Sequence, residues 1–151
     1  MSFIIILAIT ALDQFSKSLA LEHLKGSASI PLWEGVFHLT YAENTGAAFS
    51  IFTDMQLFLK IITSVFSVVL LIYLIFLTRK EGKLTIKSLS LALIIGGALG
   101  NLIDRFRFNF VVDFFDFRLI NFAIFNVADI FIVSGSILLI MVLLLEPSEA
   151  A

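Results

Sequence analysis

The chain contains no cysteine. That excludes disulfides, thiol nucleophiles and cysteine-ligated metals, and says little about compartment. Histidine is nearly as scarce. His23 and His38 are the only two, they stand far apart, and neither has ligand-like neighbours, so no metal site is expected. Positive charge is not in excess either. Ten Lys and Arg face twelve Asp and Glu, a net charge of −2, which provides no basic field for a nucleic-acid partner. Charged residues are 15% of the 151, against roughly 25% in soluble proteins. No internal repeat and no low-complexity segment is present.

Apolar residues make up the difference. They are 60% of the chain, where a soluble domain has about 45–50%, and the mean hydropathy is +1.06. The composition describes an integral membrane protein, read as one domain over residues 1–151, with little room for a soluble module. A spanning helix needs about 20 mostly apolar residues. Four segments qualify: Ser2–Leu21, Leu57–Leu77, Leu84–Ile103 and Val127–Leu145. The first lacks a basic region before its apolar run and carries Asp13, Gln14 and Lys17 in its second half, so it is read as a retained helix, not a cleaved signal peptide.

The middle connection, Thr78–Lys83, is short and basic, with Arg79, Lys80 and Lys83. Positive-inside logic puts it in the cytoplasm, with both termini, and puts the two longer connections outside. Lys25, Arg105, Arg107 and Arg118 on the outer side, and a tail without Lys or Arg, count against that orientation. In the first outer connection, Val36–Tyr41 alternates larger apolar residues at 37, 39 and 41 with smaller or polar ones. This predicts a strand with one face on apolar material. Gly26, Ser27, Pro31, Gly35 and Gly46 supply breaks. The expected fold is therefore four transmembrane helices with a small sheet on the membrane surface, between helices 1 and 2.

Four carboxylates lie inside or at the edge of the apolar segments: Asp13, Asp104, Asp113 and Asp129. Charge at membrane depth requires a partner, a wet cavity or a reaction. Asp13 and Lys17 are four apart and share a helix face. They read either as an ion pair docking helix 1 on its neighbours or as a contact to substrate or lipid headgroup. In Glu43-Asn44-Thr45-Gly46-Ala47-Ala48-Phe49, Asn44 offers hydrogen bonds and Gly46 permits close backbone approach, although a plain turn explains the segment equally well. Gly96 and Gly100 form a small-xxx-small face for helix packing. Asn101 and Asp104 extend the same helix as polar supports, and Arg105 can pair with a carboxylate or a phosphate. Asp113 and Asp129 are sixteen residues apart, so the connection must fold back to unite them. The competing readings make Asp113 a loop residue and pair Asp129 with Arg105 or Lys17. Asp116 reads as a solvated loop residue.

These residues compose five motifs in order: Asp13-Gln14-x-Ser16-Lys17, Asn44-x-Gly46-Ala47-Ala48-Phe49, Gly97-Ala98-Leu99-Gly100-Asn101-x-x-Asp104-Arg105, Val111-Val112-Asp113-Phe114 and Phe125-Asn126-x-Ala128-Asp129. With the four spans, the chain resembles the bacterial lipoprotein signal peptidases, or signal peptidase II, over nearly its whole length. The resemblance implies an aspartyl intramembrane peptidase of the cytoplasmic membrane, with its active site toward the outer face. It would cleave diacylglyceryl-modified prolipoproteins just before the lipidated cysteine. It implies Asp113 and Asp129 as the catalytic pair. Asp13, Lys17, Asn44, Gly46, Asn101, Asp104, Arg105, Asn126 and Ala128 would be substrate-binding or supporting positions. Globomycin-type peptides would be inhibitors, membrane lipids the surroundings, and no cofactor is called for. The sequence departs from the family in a C-terminal tail without basic residues.

Two carboxylates in a partly dry site can share one proton and activate water. A serine mechanism lacks a placed base for Ser50, Ser134 or Ser136. A proton-coupled transporter would also bury carboxylates, but four short spans show no inverted repeat. A membrane scaffold without chemistry would need only the glycine face.

Overall fold

A computed structural model describes residues 1–46, 52, 55–120 and 122–145. The elements run α1 (Ser2–His23), β1 (Ile30–Trp33), β2 (Phe37–Asn44), α2 (Gln56–Glu81), α3 (Ile86–Phe108), β3 (Val111–Phe117) and α4 (Val127–Leu145), with a 3-10 turn at Arg118–Ile120 before α4. All four helices are long and apolar enough to cross a membrane. α4 has the expected bounds. α1, α2 and α3 outlast the apolar runs at their C-terminal ends, because a helix continues until its last carbonyls find a cap. Gly82 ends α2 at φ 67°, its N–H on Thr78 O. Thr85 and Ser88 then form a reciprocal capping box that starts α3. Asn109, at φ 62°, ends α3 with its N–H on Arg105 O. α3 therefore runs past Ile103 and carries Asp104 and Arg105 within its last turns.

α3 is the central element. Of its most apolar stretch 67% is buried inside the protein, against 28%, 17% and 11% for α1, α2 and α4. The other three helices pack on it. Ile6, Ile9, Asp13, Lys17 and Ala20 of α1 are buried at spacings of three and four, one stripe of a helix. Small residues set the approach. A Cβ on Gly96 would lie 2.9 Å from Ile9 Cβ, and one on Gly100 would collide with the Asp13 carboxylate. The small-xxx-small face thus packs within the chain, against α1. Gly97 and Gly135 do the same for α4, under Ala128 O and over Ser90 O. α2 meets α3 through Leu74, Leu77, Leu91, Ala92 and Ile95.

The predicted strand is β2, which extends to Asn44. It is the middle of an antiparallel sheet ordered β1-β2-β3. Pro31 lies within β1, not at a break. It is tolerated because β1 is an edge strand with a register shift between Pro31 and Trp33. β1 and β2 form the expected sheet between the first two helices, and β3, from the connection after α3, adds a third strand to it. Ala20 of α1 and Leu24, which caps it, pack beneath Val112 and Phe114 in one apolar cluster. The fold-back needed to bring residues 113 and 129 together is made by β3 and a bridge from Phe115 to Phe125.

Candidate active site

Asp113 sits in β3 opposite Ala42 of β2, and 2% of it is exposed. Its Oδ2 accepts the Asn44 amide at 2.9 Å, and its Oδ1 accepts the Asn126 amide at 2.6 Å. Asn44 is itself held, because its Oδ1 accepts the Gly46 N–H at 2.9 Å. Ala47, Ala48 and Phe49 of that motif, with Ser50, lie outside the described residues.

Asp129 is positioned by the start of α4. Asn126 precedes the helix, and its Oδ1 accepts the Asp129 N–H at 3.0 Å. Asp129 Oδ2 accepts the Asn126 N–H at 3.1 Å. This is a capping box with an aspartate at its third position, where a carboxylate also faces the positive end of the helix dipole. Asp129 Oδ1 accepts the Asn101 amide at 2.9 Å. Asn126, fully buried, therefore bonds to both aspartates and bridges them.

Behind this pair lies a buried ion cluster. Lys17 Nζ is 2.9 Å from Asp13 and 3.0 Å from Asp104, and donates to Asn101 Oδ1 at 2.8 Å. Asp13 Oδ1 accepts the backbone N–H of Ala128 at 2.9 Å. Asp104 Oδ2 accepts that of Val112 at 3.1 Å. Ala128 directly precedes Asp129, and Val112 directly precedes Asp113. Each deep carboxylate thus holds the residue before one of the paired aspartates. Gln14 donates to Asp104 Oδ1 at 2.8 Å and to Gly100 O at 3.1 Å. Asp13 and Lys17 link α1 to α3 and α4, and Lys17 pairs with Asp13 and Asp104, not with Asp129.

Asp113 and Asp129 lie at the polar end of a cavity of about 1150 Å³ between α2 and α4, with α3 along one side. Glu43, Asn44, Asn101 and Arg105 complete that end. Most of the remaining wall is apolar, including Ile62 and Phe66 of α2 and Ile130 and Val133 of α4. Arg105 donates to Gly46 O at 3.0 Å. Ser134 lines the cavity, whose ionisable lining residues, among the described residues, are acids and one arginine, so no described His or Lys stands there as a base for it. Burial pushes the Asp113 carboxyl up to about 7. The charge of Asp129 adds to the rise, and the amides of Asn44 and Asn126 oppose it. A carboxyl poised near neutrality can give or take a proton during a reaction.

Asp116 departs from its expected place. It is in β3 and 8% exposed, accepting Thr40 Oγ1 and Arg118 Nε, both at 2.7 Å. Burial pushes its carboxyl up, but these bonds outweigh it and hold the group below its ordinary value. The bonds from Thr40 and Arg118 to Asp116 escaped the sequence reading, as did the α2 wall of the cavity. Apolar spans give no signal for which face lines a cleft.

The chain is similar to known proteins over nearly its whole length. The signal peptidase (SPase) II family pattern matches residues 5–145. The chain is 49% identical to the lipoprotein signal peptidase of Halothermothrix orenii, over 95% of this chain and 94% of that protein. It is 44% identical to the lipoprotein signal peptidase of Clostridioides difficile, over 97% of each. Among solved structures, a bacterial membrane enzyme determined by the in meso method at 2.3 Å superposes with a TM-score of 0.84 at 31% identity, over 99% of this chain and 91% of that one. With family pattern, whole-length relatives and fold in accord, this chain belongs to the signal peptidase II family.

Proposed function

We propose that the chain is an aspartic endopeptidase that removes the signal peptide from diacylglyceryl-modified prolipoproteins, cutting immediately before the lipidated cysteine. The observation that carries this reading is the Asp113–Asn126–Asp129 bridge at the polar end of an apolar cavity between helices. A lipidated peptide reaches such a site sideways from the bilayer, with its apolar helix against α2 and α4. Asp129 takes a proton from water as the oxygen attacks the scissile carbonyl carbon. Asp113 gives its proton to the carbonyl oxygen, forming a gem-diol. The gem-diol then collapses. Its proton returns to Asp113, the proton on Asp129 passes to the leaving amine, and the peptide bond breaks. Amides of Asn44, Asn101 and Asn126 hold the carboxylates throughout, a fixed polar surrounding that needs no rearrangement during the reaction. The Arg105 guanidinium beside the pair suits a carbonyl or phosphate oxygen of the substrate.

In this reading the protein lies in the bacterial cytoplasmic membrane with both termini in the cytoplasm and the sheet outside. Globomycin-type peptides would occupy the cavity. The test is cleavage of a lipidated prolipoprotein by purified protein in detergent, beside Asp113→Asn and Asp129→Asn. Wild type cuts, and each variant loses at least about 10³-fold in rate while remaining folded. Turnover retained by either folded variant refutes the pair.

A further inference from the structure

We propose that Lys17 is a positioning residue for this reaction: its buried ammonium fixes the Asn101 amide onto Asp129 and holds Asp13 and Asp104 on the backbone just before each of the paired aspartates. The inference rests on the peptidase reading and deepens it. It assigns work to a residue that does not line the cavity and is 2% exposed.

The geometry is directional. An asparagine amide presents a carbonyl oxygen on one side and an NH2 on the other. Asn101 Oδ1 accepts from Lys17 Nζ at 2.8 Å and from Asn126 Nδ2 at 3.1 Å. Both are obligate donors, so the NH2 must be the side turned to Asp129 Oδ1. An ammonium on the amide oxygen also polarises the amide and strengthens the bond its N–H makes beyond. A second line of force runs through the backbone. Asp13 and Asp104 are fully or almost fully buried, and Lys17 is the cation bonded to both. Without it two like charges would face each other, and their hold on the Ala128 and Val112 N–H groups would loosen. Lys17 also attracts Asp113, opposing the effect of burial on that carboxyl.

Among the described residues, the ionisable groups around the pair are Lys17 and Asp13 on α1, Glu43 on β2, and Asp104 and Arg105 on α3. The cavity wall from α2 holds none. Removing Lys17 alone leaves two uncompensated carboxylates and endangers folding. The test therefore compares Asp13→Asn with the charge-balanced Asp13→Asn/Lys17→Met variant, in which the amide oxygen introduced at position 13 still accepts the Ala128 N–H. A further form, Asp13→Asn/Lys17→Gln, keeps a donor near Asn101 and takes the same readouts if the Met form does not fold.

The expected result is a fall in kcat of about 10- to 100-fold, the range for residues that orient reacting groups from behind, with KM within about twofold. The second readout needs no substrate. In protein labelled with carboxyl-13C aspartate, an infrared pH titration follows the Asp113 carboxyl, identified by its loss in Asp113→Asn. Relative to Asp13→Asn alone, loss of Lys17 moves its midpoint to higher pH by about half a unit or more. An unchanged kcat, or a lower kcat with an unmoved midpoint, overturns the proposal and leaves Lys17 as scaffold. If wild type fails to cut lipidated substrate, the peptidase reading falls, while the infrared midpoint still decides whether Lys17 acts on the pair.

Discussion

At the level of single residues, the two aspartates are matched in donors and different in setting. Asp113 lies in a strand against two side-chain amides, and Asp129 at a helix start against one amide and one backbone N–H. Asp113, pushed up to about 7, holds its proton in acidic solution, is about half protonated near neutrality and loses the proton as pH rises further. If Asp113 is the acid, the rate declines on the alkaline side of a bell whose two limbs belong to the coupled pair. Asn44 opposes the rise by bonding to the ionised carboxyl. Asn44→Ala therefore moves the alkaline limb to higher pH, in addition to lowering the maximum rate. A profile of kcat against pH for the two proteins checks the direction. The chemistry of these side chains is readable from residue type. Their company is not: sixteen residues separate them, and spacing alone is as consistent with Asp113 in a loop and Asp129 beside Arg105 or Lys17. It is the five motifs, through their resemblance to a family, that single out the pair. The bonds from Asp13 to Ala128 and from Asp104 to Val112 have no signal in the sequence, since each is a long-range contact to backbone that any residue could supply.

Elements explain how such placement survives thermal motion. The glycines of α3 are not equivalent. Gly97 has the Ala128 carbonyl where a Cβ would go, on the same residue whose N–H Asp13 holds. Gly97→Ala forces α3 and α4 apart, costs about 1–3 kcal/mol as overpacking does, and displaces Asp129. Gly82 offers a control. Its φ of 67° disfavours a side chain, but a Cβ there meets nothing within 4 Å. Gly82→Ala costs about 1–2 kcal/mol for the left-handed backbone and leaves turnover near wild type. Thermal unfolding in detergent, run with the cleavage assay, separates the two outcomes. β2 is legible because its larger apolar side chains alternate along the strand, and Leu39 and Tyr41 pack on the apolar cluster beneath the sheet. β3 is not, because Val111–Phe114 is buried residue after residue, so Val-Val-Asp-Phe-Phe carries no period of two. Helix ends past the apolar runs are hidden for a related reason: caps such as Asn109, not hydropathy, decide them.

For the molecule as a whole, one central helix carries three others, and α2 and α4 flank a cavity instead of closing on each other. Composition alone announces the four spans, since 60% apolar content over 151 residues leaves few alternatives. It cannot announce the cleft, which depends on which faces stay unpacked. If the cleft receives the apolar helix of a substrate, narrowing it away from the aspartates impairs capture more than chemistry. Val133→Trp then raises KM for a full-length prolipoprotein severalfold. It has less effect on a lipidated peptide truncated before that helix, as paired kinetic assays would reveal.

α4 begins at the cap that holds Asp129 and runs for 19 residues, about 29 Å at 1.5 Å per residue. The hydrocarbon layer of a bilayer is about 30 Å thick. Asp129, two residues inside that start, stands about 24 Å from the helix's other end, and in the proposed function a substrate helix of equal length ends at the same height. If the chain acts as proposed, the bilayer becomes a ruler shared by enzyme and substrate. A substrate whose apolar stretch is about four residues shorter presents its bond about 6 Å out of register, unless the surrounding lipid thins to meet it. Lipid thickness is in this sense a specificity element that no side chain encodes.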